Sequence, residues 1–122
     1  MSAVDQMTVE ELSAWVNEHV LGEARPVIAG RNRYAPYSNG GNWYWSAQGW
    51  EPLPASGNQM MRVVRAMAER GWPLYQLLSQ GDGSYHTNFR RKPNLAVYRG
   101  ADNNAAVATY RAAAKAVEEE EK

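Results

Sequence analysis

The sequence predicts an α+β domain, in which a small antiparallel-rich sheet is layered with three α-helices. Three segments, beginning at Thr8, Ser56 and Asp102, place a capping side chain before apolar residues at helical spacing. Between the second and third of these segments, a glycine-containing turn separates two strand-like runs, which is the pattern of a β-hairpin. Helices that alternate with an antiparallel sheet form a layered domain with one core.

The first third of the chain predicts one helix and then an aromatic segment. Thr8 and Glu11 have the spacing of a capping box, and Gly22 is a typical helix end. The apolar residues of this helix recur at helical spacing: Leu12, Trp15, Val16, His19 and Val20. Three further segments are predicted as a short strand, a loop and a second short strand, namely Pro26–Ile28, Gly30–Gly41 and Trp43–Trp45. Pro52 and Pro54 are expected to end the second strand.

The remainder of the chain predicts a helix, a hairpin, a strand and a helix. Ser56 caps the second helix and Gly71 ends it, with an apolar stripe of Met60, Val63, Val64 and Met67. The hairpin consists of two strands and a turn: Leu74–Ser79, Gly81-Asp82-Gly83 and Tyr85–Arg90. A further strand is predicted at Leu95–Arg99. Asp102 is predicted to cap the third helix, which has one apolar side formed by Ala106, Tyr110, Ala113 and Val117.

Composition restricts the class of protein. With 122 residues and no internal linker, we expect a single domain over residues 1–122, with an aromatic insertion at 30–50 and an acidic end at 118–122 that frays. The absence of cysteine and of a long apolar run favours a cytoplasmic protein without a membrane span. Lysine plus arginine and aspartate plus glutamate number 13 each, so general nucleic-acid binding is not expected.

Catalytic and metal-binding patterns are missing from the sequence. His19 and His86 are the two histidines, and neither has a pair of acidic residues at ligand spacing beside it. No nucleophile elbow and no P-loop is present, and Asp82 is explained by its position in a turn. We therefore expect no catalytic residue, no cofactor and no metal site.

The combination of arginines and aromatics is the one chemical pattern above background. Arg25 to Trp50 holds six aromatic residues and three arginines without an acidic residue, and a second basic segment follows the hairpin. Aromatic faces stack on planar groups and arginines bind anions, so this composition favours a phosphorylated planar ligand. The candidate ligand-binding residues are Arg31, Arg33, Tyr34, Tyr37, Trp43, Trp45, Trp50, Arg90, Arg91 and Arg99. Trp43 and Trp45 fit a strand core equally well.

Three stretches resemble the phage ABA sandwich domain family: LSAWVNEHVLG from Leu12, MRVVRAMAERGW from Met61 and GADNNAAVATYRAAAKAV from Gly100. Trp72 and Asp102 match positions of the family pattern. The entry to the central helix departs from that pattern and keeps only its capping serine, Ser56. The Gly30–Trp50 segment looks like an insertion relative to the family pattern. The resemblance implies a phage-encoded accessory protein and carries over no catalytic residues.

Two functional hypotheses follow. The first is a non-catalytic phage anti-defence protein that sequesters a small anionic nucleotide-like ligand, by analogy with phage proteins of other families that remove cyclic nucleotide immune signals. The second is a protein–protein inhibitor or virion accessory factor that uses the aromatic segment as its interaction surface. The number of aromatics, and the separation of acidic helices from basic loops, also predict a homo-oligomer.

Overall fold

The structure, a computed structural model, describes residues 3–27, 37–91 and 96–121. Within these residues three α-helices and five β-strands make an α+β fold, and this confirms the predicted class. The strands form two antiparallel sheets, one of two strands and one of three, where the sequence predicts a single sheet. No helix among the described residues combines the length and the apolar character needed to cross a membrane.

Helix α1 spans Val9–His19 and begins with the predicted capping box. The Thr8 hydroxyl accepts the Glu11 N–H at 3.2 Å, and the Glu11 carboxylate accepts the Thr8 N–H at 3.0 Å. The helix ends at Val20, two residues before Gly22 takes a left-handed conformation with φ of 74°. Before α1 lies a single 3-10 turn, Ala3–Gln6.

Strands β1 (Trp43–Ser46) and β2 (Gly49–Pro52) form a two-stranded hairpin. β1 was predicted, whereas β2 was not, because Pro52 suggests an end to strand structure. Pro52 sits at the last position of β2, opposite Trp43, where a strand tolerates proline. The strand predicted at 26–28 is wrong for Pro26 and Val27, which have no regular structure. Ile28 and most of the predicted loop lie outside the described residues.

Helix α2 spans Gly57–Glu69, and its cap is Ser56 as predicted. Of its apolar stripe, Val63 and Met67 are fully buried. Gly71 then turns the chain with φ of 90°, as a glycine after a helix does. This turn delivers Trp72 into the core, with 3% of its surface exposed.

Strands β3 (Leu74–Ser79), β4 (Tyr85–Arg91) and β5 (Ala96–Asp102) form the second sheet in the order β3-β4-β5. The predicted hairpin of β3 and β4 is confirmed. Its turn is held by Asp82, whose carboxylate accepts the N–H of Ser84 at 3.0 Å and its hydroxyl at 2.7 Å. These bonds, the one from the Ser84 side chain foremost, lower the pKa of Asp82.

Helix α3 spans Ala105–Glu120 and packs on β5 and β4. Its cap is Asn104, whose side chain accepts the N–H of Ala106 at 2.8 Å, so the prediction that Asp102 caps it is wrong. Asp102 ends β5 instead and accepts the Asn104 N–H at 3.0 Å. Both residue types cap helices well, and strand pairing of Asp102 decides between them.

Close packing of α3 explains why it is buried on more than the one predicted side. A Cβ at Gly100 of β5 would collide with the carbonyl oxygen of Ala108 and the amide nitrogen of Ala112. Glycine in the strand and alanines in the helix therefore bring the two backbones together. The core around them contains the fully or almost fully buried Leu12, Val16, Val63, Met67, Phe89, Tyr110 and Val117.

The acidic end of α3 makes side-chain contacts with other elements. The Glu120 carboxylate pairs with Arg91 and accepts the Trp72 indole N–H at 2.5 Å. The Glu121 carboxylate lies 2.8 Å from His19 Nδ1. Glu120 and Glu121 thus link the last turn of α3 to β4, α1 and the segment after α2.

Candidate functional site: an acidic cleft lined by tryptophans

An open cleft of about 560 Å³ lies between α1 and the β1–β2 hairpin. We call it the α1–β2 cleft. Its lining contains four glutamates, two tryptophans and one arginine, and consists of Met7, Glu10, Glu11, Ala14, Trp15, Glu18, Arg25, Gln48, Trp50, Glu51 and Pro52. The α1 residues recur at intervals of three and four, so they form one face of the helix.

Two of the glutamates have hydrogen bonds within the chain. Hydrogen bonds from Thr8, the backbone one first, lower the pKa of Glu11. Hydrogen bonds from the Ser46 and Tyr44 side chains lower the pKa of Glu51. The same interaction with Glu51 raises the pKa of Tyr44. These two carboxylates are therefore kept in their charged form by their surroundings.

The other two glutamates are available to a ligand. Glu10 and Glu18 are exposed, and neither has a hydrogen bond or ion pair within the described part of the chain. Arg25 is the cation among the described lining residues, and its guanidinium carbon lies 4.9 Å from the centre of the Trp43 ring. The described lining therefore holds four carboxylates and one guanidinium, which give it a negative potential.

Trp15 and Trp50 supply the aromatic part of the lining. Trp15 is half-buried and stacks on His19, with ring centroids 4.2 Å apart and an angle of 17° between the planes. Trp50 is 8% exposed and meets Trp45 edge to face at 5.5 Å. Both tryptophans are fixed by neighbouring rings, and a fixed indole face near carboxylates is a favourable environment for a cation.

The structure places the predicted aromatic residues in different environments. Trp43 is fully buried, and its indole N–H donates to the Glu23 carbonyl oxygen at 2.9 Å. It belongs to the core and offers no face to a ligand, which was the alternative interpretation of this residue. Trp50 lines the cleft. Trp45, on the hairpin, is 38% exposed, and Tyr37, beside the hairpin, is 55% exposed.

The predicted basic residues lie in the other sheet. Arg90 stacks over Tyr75 at 4.9 Å, and Arg91 stacks over Trp72 at 4.4 Å and pairs with Glu120. The Arg99 Nε donates to the Asn88 Oδ1 at 3.0 Å. Arg31, Arg33 and Tyr34 lie outside the described residues.

A shared groove for these arginines and the tryptophans is therefore not formed among the described residues. The physical reason is that β1–β2 and β3–β5 are separate sheets. The arginines on β4 and β5 each have a partner in their own part of the molecule. Among the predicted site residues that the structure describes, Trp50 is the one in the lining of the α1–β2 cleft.

Sequence reasoning missed Glu10, Glu18 and Trp15 as site residues. The sequence places Trp15 in the apolar stripe of the first helix and gives Glu10 and Glu18 no role of their own. The available signal was their spacing, because residues 10, 14 and 18, and likewise 11, 15 and 18, lie on one side of a helix. What could not be found was the hairpin strand β2, which forms the opposite wall.

No group of three or more potential metal-ligating side chains occurs among the described residues. Comparison with models of protein families, with curated proteins and with solved structures finds no match to this chain. The resemblance to the phage ABA sandwich domain family therefore stays a prediction.

Proposed function

We propose that this chain is a non-enzymatic interaction protein whose α1–β2 cleft receives a basic side chain of a partner protein. The observation that carries the proposal is the pair of unpaired carboxylates, Glu10 and Glu18, beside the fixed indole of Trp15. It agrees with the second hypothesis from the sequence, an inhibitor or accessory factor that binds protein. In that role Trp50 of the hairpin contributes to the opposite wall.

The charge of the cleft selects the ligand class. A lysine or arginine side chain is attracted by four carboxylates, and it can also place its cation over an indole ring. A phosphate group would be repelled by the same carboxylates. A flexible side chain with a terminal cation also suits an open cleft, because its alkyl part can lie along Trp15 while its charge stays near water.

The nucleotide hypothesis stays a prediction that depends on residues outside the described part of the chain. Arg31, Arg33 and Tyr34 are its remaining candidates. Among the described residues, the predicted arginines already have aromatic, amide or carboxylate partners.

The test is a titration of ¹⁵N-labelled protein with five-residue acetylated peptides that differ only at the central residue. Peptides with lysine, trimethyl-lysine or arginine at the centre are expected to shift amide signals of α1 and β2. The peptide with glutamate at the centre should leave these signals in place. Raising the salt concentration should weaken binding, because the carboxylates are exposed.

Two variants locate the binding. Glu10→Gln and Glu18→Gln should each weaken the lysine peptide by about two- to five-fold, which is the range of exposed ion pairs. Glu69→Gln, an exposed acid at the end of α2, is the matched control and should change nothing. Equal effects of all three variants, or no signal shift with any basic peptide, would contradict the proposal. A cyclic dinucleotide that binds in the same assay would favour the nucleotide hypothesis.

A further inference from the structure

Strand β3 is exposed along its whole length, although it is rich in apolar residues. All six residues of Leu74–Ser79 are exposed, and the four large apolar ones are 38–51% exposed. Helix α3 packs mainly on β5 and β4. Half-exposed leucines and a tyrosine in one strand are unusual for the free surface of a small domain.

The outer side of β3 is also an unpaired sheet edge within the described part of the chain. The Gln80 N–H donates to the Ser84 carbonyl oxygen at 2.8 Å, which sets the alternation of the β3–β4 ladder. With that alternation, the backbone N–H and C=O groups of Leu78 point to β4, and those of Leu77 and Ser79 point to the open side. Another strand can therefore add to the sheet by main-chain hydrogen bonds.

Ordinary protection of an edge strand is weak here. Natural proteins block such edges with lysine, proline or strong bulges. β3 has no charged residue and no proline, and its one irregularity lies at its beginning, between Leu74 and Gln76. Its middle, around Leu77, is regular and unprotected.

We propose that β3 pairs with β3 of a second copy of this chain, antiparallel and about a two-fold axis near Leu77. This joins the two three-stranded sheets into one sheet of six strands. Leu74 and Leu77 lie opposite the buried Phe89 and Thr87, so they share the face of the sheet that α3 covers. In the dimer the two copies of Leu77 meet at the axis and cover each other.

A second copy fits because the surface is self-complementary in charge. β3 is neutral, so two copies do not repel each other along the strand. An antiparallel arrangement brings the beginning of one β3, beside Arg90, toward the end of the other, beside the hairpin turn with Asp82. The Arg90 guanidinium stacks over Tyr75 and has no carboxylate partner in the described structure, and hydrogen bonds from Ser84 favour the charged form of Asp82. Opposite charges therefore approach each other at both ends of the pairing.

This interface differs from the one that composition predicts. The sequence suggests association of acidic helices with basic loops, whereas the structure favours an apolar, main-chain interface. The proposal is independent of the α1–β2 cleft, because the cleft and β3 belong to different sheets.

The first test is light scattering across protein concentration. Wild-type protein is expected to show twice the single-chain mass of 13.7 kDa. Leu77→Lys places two ammonium groups at the axis and should raise the dissociation constant by at least about ten-fold. Met61→Lys, the same change at a 54% exposed residue of α2, is the matched control and should remain dimeric. A wild-type monomer at hundreds of micromolar would overturn the proposal.

The second test does not depend on the stability of the lysine variant. The natural chain has no cysteine, so Leu77→Cys introduces a single thiol. Because the backbone groups of Leu77 point to the partner strand, the paired Cα atoms across the two-fold axis are about 5.5 Å apart, which a disulfide can bridge. Mild oxidation should convert Leu77→Cys to a covalent dimer, whereas Val9→Cys, on α1, should stay monomeric on a non-reducing gel. Equal cross-linking of both variants would show random collision and reject the pairing.

Discussion

The two sheets of this small protein differ in how completely their large apolar side chains are buried. The β1–β2 hairpin buries Trp43 completely and covers Trp50, leaving Trp45 as its one markedly exposed tryptophan. The three-stranded sheet buries Phe89 in its central strand and leaves β3 exposed on both faces. The difference shows that residue type alone does not decide burial, because coverage depends on how far the helices extend over each sheet.

The same two regions also differ in how their charges are used. Around the three-stranded sheet, Arg91 pairs with Glu120 and Arg99 with Asn88. Around the hairpin, Glu10 and Glu18 have no such partner in the described part of the chain. A chain of zero net charge therefore presents unpaired negative charge at the cleft. Four predictions test this contrast, from the largest expected effect to the smallest.

Trp43→Ala should remove the anchor of the hairpin region. The fully buried indole and its hydrogen bond to Glu23 are lost, and a large cavity forms. The free energy of unfolding should fall by about 3–5 kcal/mol in urea denaturation. Trp45→Ala, at a 38% exposed position two residues away, should cost far less. Similar losses for the two variants would mean that Trp43 is not the core residue of this region.

Gly100→Ala should disturb the three-stranded sheet at its contact with α3. The added methyl group meets backbone atoms of Ala108 and Ala112, so α3 must move away from β5. Overpacking of this kind costs about 1–3 kcal/mol, measured by thermal or urea unfolding. Gly81→Ala is the control, because a Cβ there meets nothing within 4 Å. An unchanged stability of Gly100→Ala would show that the helix and strand are less closely packed.

Glu120→Gln should loosen the end of α3 by a smaller amount. The change keeps an acceptor for the Trp72 indole but removes the ion pair with Arg91, whose side chain is 32% exposed. We expect a loss of about 1 kcal/mol that shrinks as salt is added. Glu69→Gln on α2 serves as the control. A loss of stability that does not change with salt would show that packing, and not the ion pair, accounts for the contribution of Glu120.

Thr8→Ala should have the smallest effect, a loss of about 0.5–1 kcal/mol from the cap of α1. The partner Glu11 adds a dependence on pH. Its pKa is lowered in the folded protein, so its contribution is present above the pKa of the unfolded chain and disappears as the pH falls through the folded value. Between roughly pH 5 and pH 3, wild-type protein should therefore lose stability relative to Glu11→Gln. Parallel pH profiles for these two proteins would rule out the capping role of the charge.

Local signals predicted much of the fold. Thr8 and Ser56 cap their helices as expected, and the hairpin around Asp82 has the predicted strands. The caps and the hairpin turn depend on interactions between residues two or three positions apart. The prediction of the α3 cap was wrong because Asp102 and Asn104 are both good capping residues. Strand β2 was not predicted because it ends in a proline.

The candidate site was much less predictable. Composition identified aromatic residues and arginines, and of the proposed residues that the structure describes, Trp50 alone lines the α1–β2 cleft.

The amino-acid sequence by itself determined the α+β class, the capped helices and the central hairpin, because capping, periodicity and turn chemistry act within a few residues. Tertiary structure decided that there are two sheets, that Trp43 is core, and that β3 is uncovered. It also decided which charges are neutralised, since Arg91 finds Glu120 across 29 residues while Glu10 and Glu18 find no partner among the described residues. The physical reason is that burial and charge pairing depend on distant segments meeting in space, and no local pattern records which segments meet.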